Sequence, residues 1–130
     1  MENRTVPLST KLGVTEGISM ALLHAPTEFH WSPPPGLRLT RRARGPADVI
    51  LAFFTRRAVL ERQIDALAQL IAPAGSLWLA WPKRASDVTT DLTDHAVRDV
   101  ALPLGLVDNK VCAVDETWTA LRFVWRRARR

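Results

Sequence analysis

The sequence predicts one α/β domain with a mostly parallel sheet, a C-terminal antiparallel hairpin and a reduced number of helices. Three observations predict it. Residues 49–54 form an apolar run, typical of a central strand covered on both faces. A helical pattern over residues 56–71 follows, and then a second apolar run over residues 76–81. Strand, helix and strand in this order form a right-handed βαβ unit, so we expect these two strands to be parallel.

The composition is that of an ordinary globular protein. The chain has 130 residues, of which 47% are hydrophobic and 24% are charged, enough apolar material for the core of one domain. No apolar segment approaches the ~18 residues of a membrane span, and the first ten residues lack the features of a signal peptide. We therefore expect a cytoplasmic protein without a membrane partner. The single cysteine, Cys112, rules out an internal disulfide and is expected to be a small buried hydrophobe.

The net charge of +5 is unevenly distributed. Eight arginines lie within residues 38–44 and 126–130, so the rest of the chain is slightly acidic. We expect residues 1–10 to form a flexible arm, residues 11–126 the single domain, and residues 127–130 a basic tail. The arginine clusters make a nucleic-acid partner an alternative, although a solubilising edge and a frayed tail are the simpler interpretation.

The first third of the chain predicts two strands with an unusual connection. Residues 9–17 are expected to form a short capped turn or a helical turn that ends at glycine. Residues 18–23 predict a strand that Pro26 ends, since proline cannot donate to a ladder. Residues 27–36 contain three successive prolines, which indicates an extended connection where a doubly wound fold would have a crossover helix. Residues 37–43 alternate as in a half-exposed edge strand.

The buried strand over residues 47–54 leads into the first helix. Thr55 is expected to cap this helix, which then begins at Arg56. The segment Pro73-Ala74-Gly75 is expected to end it, because proline and glycine follow helices far more often than they continue them.

The last third predicts a second helix and a hairpin. Asp91 is expected to cap the helix. Residues 107–114 and 118–126 predict two strands, and residues 115–117 supply turn-forming side chains between them.

The order of elements from Ala47 to Arg126 resembles the second half of a class I methyltransferase, a Rossmann-like family whose final strand pair forms an antiparallel edge. This resemblance implies S-adenosylmethionine, held by a glycine-rich turn after the first strand and by an acidic residue ending the second. Here the first strand runs into Leu22-Leu-His-Ala-Pro-Thr-Glu28 without a glycine, and the second into the basic segment Leu39-Thr-Arg-Arg42. We therefore expect no S-adenosylmethionine motif and no cofactor.

A second resemblance covers nearly the whole chain, from Leu12 to Arg127. It is to an uncharacterised bacterial family, domain of unknown function 3052, and it implies no activity. The matching segments are Lys11-Leu-Gly-Val-Thr-Glu-Gly17, Arg44-Gly-Pro-Ala-Asp-Val49, Ala52-Phe-Phe54, Leu79-Ala-Trp-Pro-Lys83, Leu104-Gly-Leu-Val-Asp-Asn-Lys110 and Val114-Asp-Glu-Thr-Trp118.

The strongest candidate site follows the strand at residues 76–81. Ligands of open α/β folds bind outside the carboxyl ends of the strands. Trp81, Lys83 and Arg84 lie there, and the two cations would suit a small anionic ligand such as a phosphate or a carboxylate. A solvated loop is the simpler interpretation.

His24 and Asp115 complete the candidate set. Histidine and paired carboxylates are suited to proton transfer. A surface or capping role for His24 and a turn role for Asp115 are the simpler interpretations. The three histidines lack the spacing of zinc ligands, so no metal site is expected.

These features favour a non-catalytic binding or regulatory module with an anionic-ligand site, rather than an enzyme. Two alternatives stay open. One is an enzyme acting on a small anionic substrate, with Lys83 as an electrostatic clamp and His24 or Asp115 as the acid–base group. The other is a nucleic-acid-binding protein. The edge strand over residues 37–43 could also pair with a second copy, so a homodimer or a protein partner is a further expectation.

Overall fold

The computed structural model describes residues 6–126, so the predicted basic tail over residues 127–130 and the first half of the predicted arm lie outside the described residues. Three α-helices and six strands build the domain. The helices are α1 (Leu8–Leu12), α2 (Arg57–Leu70) and α3 (Asp94–Ala101); the strands are β1 (Ser19–Leu23), β2 (Arg38–Thr40), β3 (Ala47–Phe53), β4 (Ile71–Pro82), β5 (Leu106–Ala113) and β6 (Trp118–Trp125). None of the helices within residues 6–126 has the length and apolar character that crossing a bilayer requires.

The six strands form one sheet in the order β2-β1-β3-β4-β6-β5. The first four are parallel, and β6 pairs antiparallel with both β4 and β5. This confirms the predicted mostly parallel sheet with an antiparallel hairpin. After β1 the chain adds β2 on one side and then β3 on the other, so the direction of winding reverses between β1 and β3. The edge strand β2 is shorter than residues 37–43, the range predicted for it.

One face of the sheet is covered by helices. Leu60, Ile64 and Leu67 form a buried stripe along α2, at the spacing that places side chains on one side of a helix. They pack with β-strand residues such as Leu77 and Leu79. Burial of each such leucine contributes about 2 kcal/mol, so this face supplies most of the free energy that holds α2 and α3 in place.

The other face lacks a long helix. It is covered by α1 and by the connection between β1 and β2, which has no regular secondary structure beyond turns, as predicted. Phe29 in this connection lies with its ring centroid 5.0 Å from that of Phe53. The indole Nε1 of Trp31 donates to Oγ of Ser9, 3.2 Å away, and ties the connection to α1. Aromatic packing therefore substitutes for a crossover helix.

The capping of both longer helices differs from the prediction. Helix α2 begins at Arg57, and Thr55 does not cap it. Instead the Oδ1 atom of Asp91 accepts a hydrogen bond from the Arg57 backbone N–H at 2.8 Å. Asp91 therefore caps α2 from the loop that precedes α3. Thr93 caps α3, where its Oγ1 accepts from the Ala96 backbone N–H. A cap from 34 residues away has no local sequence signature, which is why it is missed.

Two further boundaries differ. Helix α1 starts at Leu8, within the segment expected to be an arm. Helix α2 ends at Leu70 and passes directly into β4, so residues 73–75 lie inside a strand rather than ending the helix. Gly75 is needed there, since a Cβ atom at this position would approach the Asp48 carbonyl oxygen to 2.7 Å.

Candidate functional site

A cleft of about 940 Å³ opens at the carboxyl ends of β1 and β3, where the winding of the sheet reverses. We call it the switch-point cleft. The chain leaving β1 crosses one face of the sheet, and the chain leaving β3 enters α2 on the other face. The two connections diverge, and the crevice between them is where open α/β sheets bind ligands. Its volume lies within the range of small-molecule sites.

His24 sits at the rim of this cleft, directly after β1. Its Nε2–H donates to Oε1 of Gln63 in α2, at 2.8 Å. Its ring also contacts that of Phe54 edge-on, with the centroids 5.4 Å apart. His24 has a φ angle of 60°, in the left-handed region, and no other non-glycine residue among those described has a positive φ. The surroundings therefore hold a strained backbone, and such strain is common at functional sites.

The floor of the switch-point cleft is aromatic. Phe53, Phe54 and Trp118 line it, and each is less than a tenth exposed. The Phe53 and Trp118 rings meet edge-to-face with centroids 5.1 Å apart. This rigid apolar surface suits a flat or ring-containing ligand group.

The charged groups around the cleft are mainly acidic. Glu28, Asp115 and Glu116 line it together with one cation, Arg56. Asp115 has a structural task, because its Oδ1 accepts from the backbone N–H groups of both Thr117 and Trp118. It holds the turn between β5 and β6, as the simpler interpretation of the sequence predicts.

Lys83 and Arg84 lie in a different place. They line a second cleft, of about 500 Å³, between the end of β4, the start of β6 and the start of α3. Trp81 also borders this cleft, although it is only 6% exposed and belongs mainly to the core under the helices. No other described residue forms an ion pair or hydrogen bond with the side chain of Lys83 or Arg84.

A third cation in the second cleft is already neutralised. Arg98 pairs with Asp94 at 3.1 Å and with Asp108 at 3.0 Å. The hydrogen bond to Asp108, followed by that to Asp94, raises the pKa of Arg98. The backbone N–H of His95 and then Arg98 lower the pKa of Asp94. This network joins α3 to β5 and leaves Lys83 and Arg84 as the uncompensated charges.

The structure thus divides the five predicted site residues between two clefts. His24 and Asp115 share the switch-point cleft, whereas Trp81, Lys83 and Arg84 share the second. The sequence missed Gln63, because its partner lies 39 residues away and nothing in the helical pattern marks it. The acidic and aromatic character of the switch-point cleft was also missed. Within residues 6–126, no three histidine, cysteine or carboxylate side chains are placed to hold a metal ion.

The residues at the end of β1 do not fit S-adenosylmethionine as methyltransferase-fold proteins hold it. No glycine occurs between Gly17 and Gly36, and no helix lies between β1 and β2. His24, a residue with a side chain, stands in the turn directly after β1, where a glycine would let the backbone approach the cofactor closely. Exposed Arg41 and Arg42 follow β2 in place of an acidic residue.

Comparison with known proteins identifies the fold. The chain is similar to a SAM-dependent methyltransferase from Aquifex aeolicus, with a TM-score of 0.61 and 10% identity over 88% of this chain and 85% of that one. It is also similar to a TehB-like SAM-dependent methyltransferase from Corynebacterium glutamicum, with a TM-score of 0.58 and 8% identity over 94% and 89% of the two chains.

A further similar structure is TrmN from Thermus thermophilus, with a TM-score of 0.58 and 13% identity. The match covers 92% of this chain but only 47% of that one. No family model matches the chain, and no curated protein matches it. At these identities the likeness concerns the fold alone: the domain has the Rossmann-like fold of SAM-dependent methyltransferases.

Proposed function

We propose that this protein is an enzyme that acts on a small molecule bound in the switch-point cleft, with His24 as general base. The arrangement of the His24 ring carries the proposal. Because Nε2–H donates to Gln63, the neutral ring keeps the lone pair on Nδ1. A base at the edge of a cleft, oriented by a second side chain, is the arrangement that general-base catalysis requires.

The fold supports an enzyme over the non-catalytic module that the sequence favoured. Two of the similar structures described above are named as SAM-dependent methyltransferases, which are enzymes. The strained backbone at His24 fits an active site as well, since strain of this kind, which costs about 1 kcal/mol, is common there.

The charges favour a substrate that is not an anion. Glu28 and Glu116 would repel one, and Arg56 alone does not offset them. The aromatic floor favours a substrate with a flat ring. We therefore propose a neutral or cationic ring-containing substrate from which His24 removes a proton.

The test begins with a thermal-shift screen of ring-containing metabolites against the full chain. A Val59→Trp variant, whose indole would occupy the cleft, serves as the blocked control. Compounds that stabilise the natural protein but not Val59→Trp are then assayed for turnover. We expect such compounds to be neutral or cationic. If the screen yields only anions, or if both proteins respond equally, the cleft is not the site.

The role of His24 needs a matched control. His30 lines the same cleft and has no hydrogen-bond or ion-pair partner among the described residues. For a substrate found in the screen, we expect His24→Asn to lower kcat by about 100-fold or more while His30→Asn leaves it nearly unchanged. Equal effects of the two substitutions would remove His24 from the mechanism.

Micromolar binding of S-adenosylmethionine to the protein would contradict the conclusion that the residues after β1 do not fit this cofactor.

We further propose that the chain belongs to the bacterial family domain of unknown function 3052. The six matching segments support this, and two of them, Ala52-Phe-Phe54 and Val114-Asp-Glu-Thr-Trp118, border the switch-point cleft. An alignment of that family which failed to place these segments in register would contradict it.

The other predictions made from the sequence are kept as proposals. They comprise a cytoplasmic location, a homodimer or protein partner, a nucleic-acid partner, and an anionic ligand at Lys83 and Arg84. For the anionic ligand, Lys83→Ala should weaken the binding of any anion found in the second cleft. Unchanged affinity would show that Lys83 is not part of the binding site.

A further inference from the structure

We propose that the amino ends of the strands carry a second binding site, for a phosphate group. The site is a pocket of about 310 Å³ beside α1, at the opposite edge of the sheet from the switch-point cleft. Ser76, Lys11, Lys110 and Arg122 line it. The sequence did not identify any of these four as a candidate site residue, because they come from four different elements.

Ser76 is the first observation that points to a ligand. It is 2% exposed and is the one buried polar side chain among the described residues. No other described residue hydrogen-bonds its hydroxyl group. Ser76 and Trp78 are two residues apart in β4, so their side chains lie on the same face of the sheet. The indole of Trp78 donates to the Leu12 carbonyl, which shows that this is the face that α1 covers. Buried hydroxyl groups nearly always have a partner, and a ligand oxygen would supply one here.

The cations are the second observation. Lys110 and Arg122 lie directly opposite each other in the β5–β6 pair. Like charges at opposed positions are unfavourable unless something neutralises them. Within the described part of the chain, neither of these side chains nor Lys11 pairs with a carboxylate. Arg122 donates to the Asn109 side chain and Lys11 to the Ala113 carbonyl, both at 3.2 Å, and both bonds leave the positive charge in place.

One carboxylate lines the pocket. Asp48 accepts hydrogen bonds through Oδ2 from the backbone N–H and the hydroxyl of Ser19, at 3.0 and 3.2 Å. The pocket therefore holds three cations against one anion. A doubly negative phosphate group balances this excess, and its oxygens accept from guanidinium, ammonium and hydroxyl donors together. The volume admits inorganic phosphate or a small phosphate monoester and is too small for a dinucleotide.

The experiment is a titration of the full chain with inorganic phosphate, followed by ¹H–¹⁵N NMR, with sodium chloride of equal ionic strength as the control. We expect amide shifts concentrated at Gly75 and Ser76 and absent with chloride. Arg122→Gln and Lys110→Gln should each weaken phosphate binding about tenfold, the effect expected of a charged hydrogen bond. Arg62→Gln removes an exposed cation of α2 that lines neither this pocket nor either cleft, and it should change nothing.

A titration with glycerol phosphate distinguishes the two sources of the phosphate group. Tighter binding than inorganic phosphate assigns the site to a phosphate monoester, and equal or weaker binding assigns it to free phosphate.

The Ser76→Ala variant is the control for misfolding. It removes only an unpartnered hydroxyl, so it should fold while binding phosphate several-fold more weakly. The proposal is overturned if phosphate causes no shifts beyond those of chloride. It is equally overturned if Arg62→Gln weakens binding as much as Arg122→Gln.

Discussion

The imidazole Nε2 of His24 lies 2.8 Å from Oε1 of Gln63, so the residue that ends β1 is held by the middle of α2. The edge-on contact between the rings of His24 and Phe54 fixes the same imidazole from a second side. A histidine held in this way keeps one tautomer, and this property can be measured before any substrate is known.

Removing Gln63 should release the His24 ring. In the natural protein we expect the imidazole ¹⁵N shifts of His24 to report the Nε2–H tautomer, because Oε1 of Gln63 can only accept. In Gln63→Ala the shifts should move towards a mixture of the two tautomers. His30, in the same spectrum, has no partner among the described residues and serves as the internal control. A His24 signal that is identical in both proteins would show that Gln63 does not orient the ring.

The backbone strain at His24 predicts an unusual ranking of substitutions. His24→Ala loses the contacts with Gln63 and Phe54 and keeps the φ angle of 60°. His24→Gly loses the same contacts but tolerates that angle. We expect the glycine variant to have a free energy of unfolding about 1 kcal/mol higher than the alanine variant, against the usual ranking of the two residues. Urea denaturation of the two variants measures this difference, and an alanine variant of equal stability would mean that the turn relaxes.

The long-range cap on α2 should contribute measurably to stability. Asp91→Ala leaves the Arg57 N–H without its acceptor, and we expect a loss of about 1 kcal/mol in the free energy of unfolding. Asp87→Ala is the matched control, because Asp87 lies in the same loop, is exposed and has no partner among residues 6–126. Equal effects in chemical denaturation would mean that the loop charge matters and the cap does not.

The Ser76 hydroxyl should destabilise the folded protein in phosphate-free buffer. Ser76→Ala removes a buried group that lacks a partner within the described chain, so we expect the free energy of unfolding to rise by about 1 kcal/mol. Ser32→Ala, at an exposed position, should leave stability unchanged. A loss of stability in Ser76→Ala would show that the hydroxyl is already satisfied when no ligand is bound.

The reactivity of Cys112 should depend on folding and on pH. Burial raises the pKa of its thiol, with Lys11 opposing the shift. The thiolate is the reactive form, so alkylation by iodoacetamide at pH 8 should be slower in the folded protein than in urea. Because folding disfavours the thiolate, stability should decline as pH rises past the ordinary pKa of a free cysteine. Cys112→Ser should abolish alkylation and remove this part of the decline.

Some elements of the fold could be predicted from sequence patterns and others could not. The apolar runs of β3 and β4 and the stripe of α2 were all predictable, because each pattern reflects the burial of that element alone. The extended connection after β1 was predictable because three prolines exclude a helix. The caps from Asp91 and Thr93 were not, since local propensity would accept Thr55 and Asp91 equally well.

The candidate sites show the same division. The sequence by itself determined that this chain forms an α/β sheet closed by a hairpin, and that Lys83, Arg84, His24 and Asp115 lie at the ends of strands. Tertiary structure alone decided that Lys83 and His24 line different clefts, that His24 meets Gln63, and that Lys110 and Arg122 oppose each other near Ser76. Strand periodicity is a property of neighbouring residues. A binding site depends on strand order and register, which arise only when distant segments pack together.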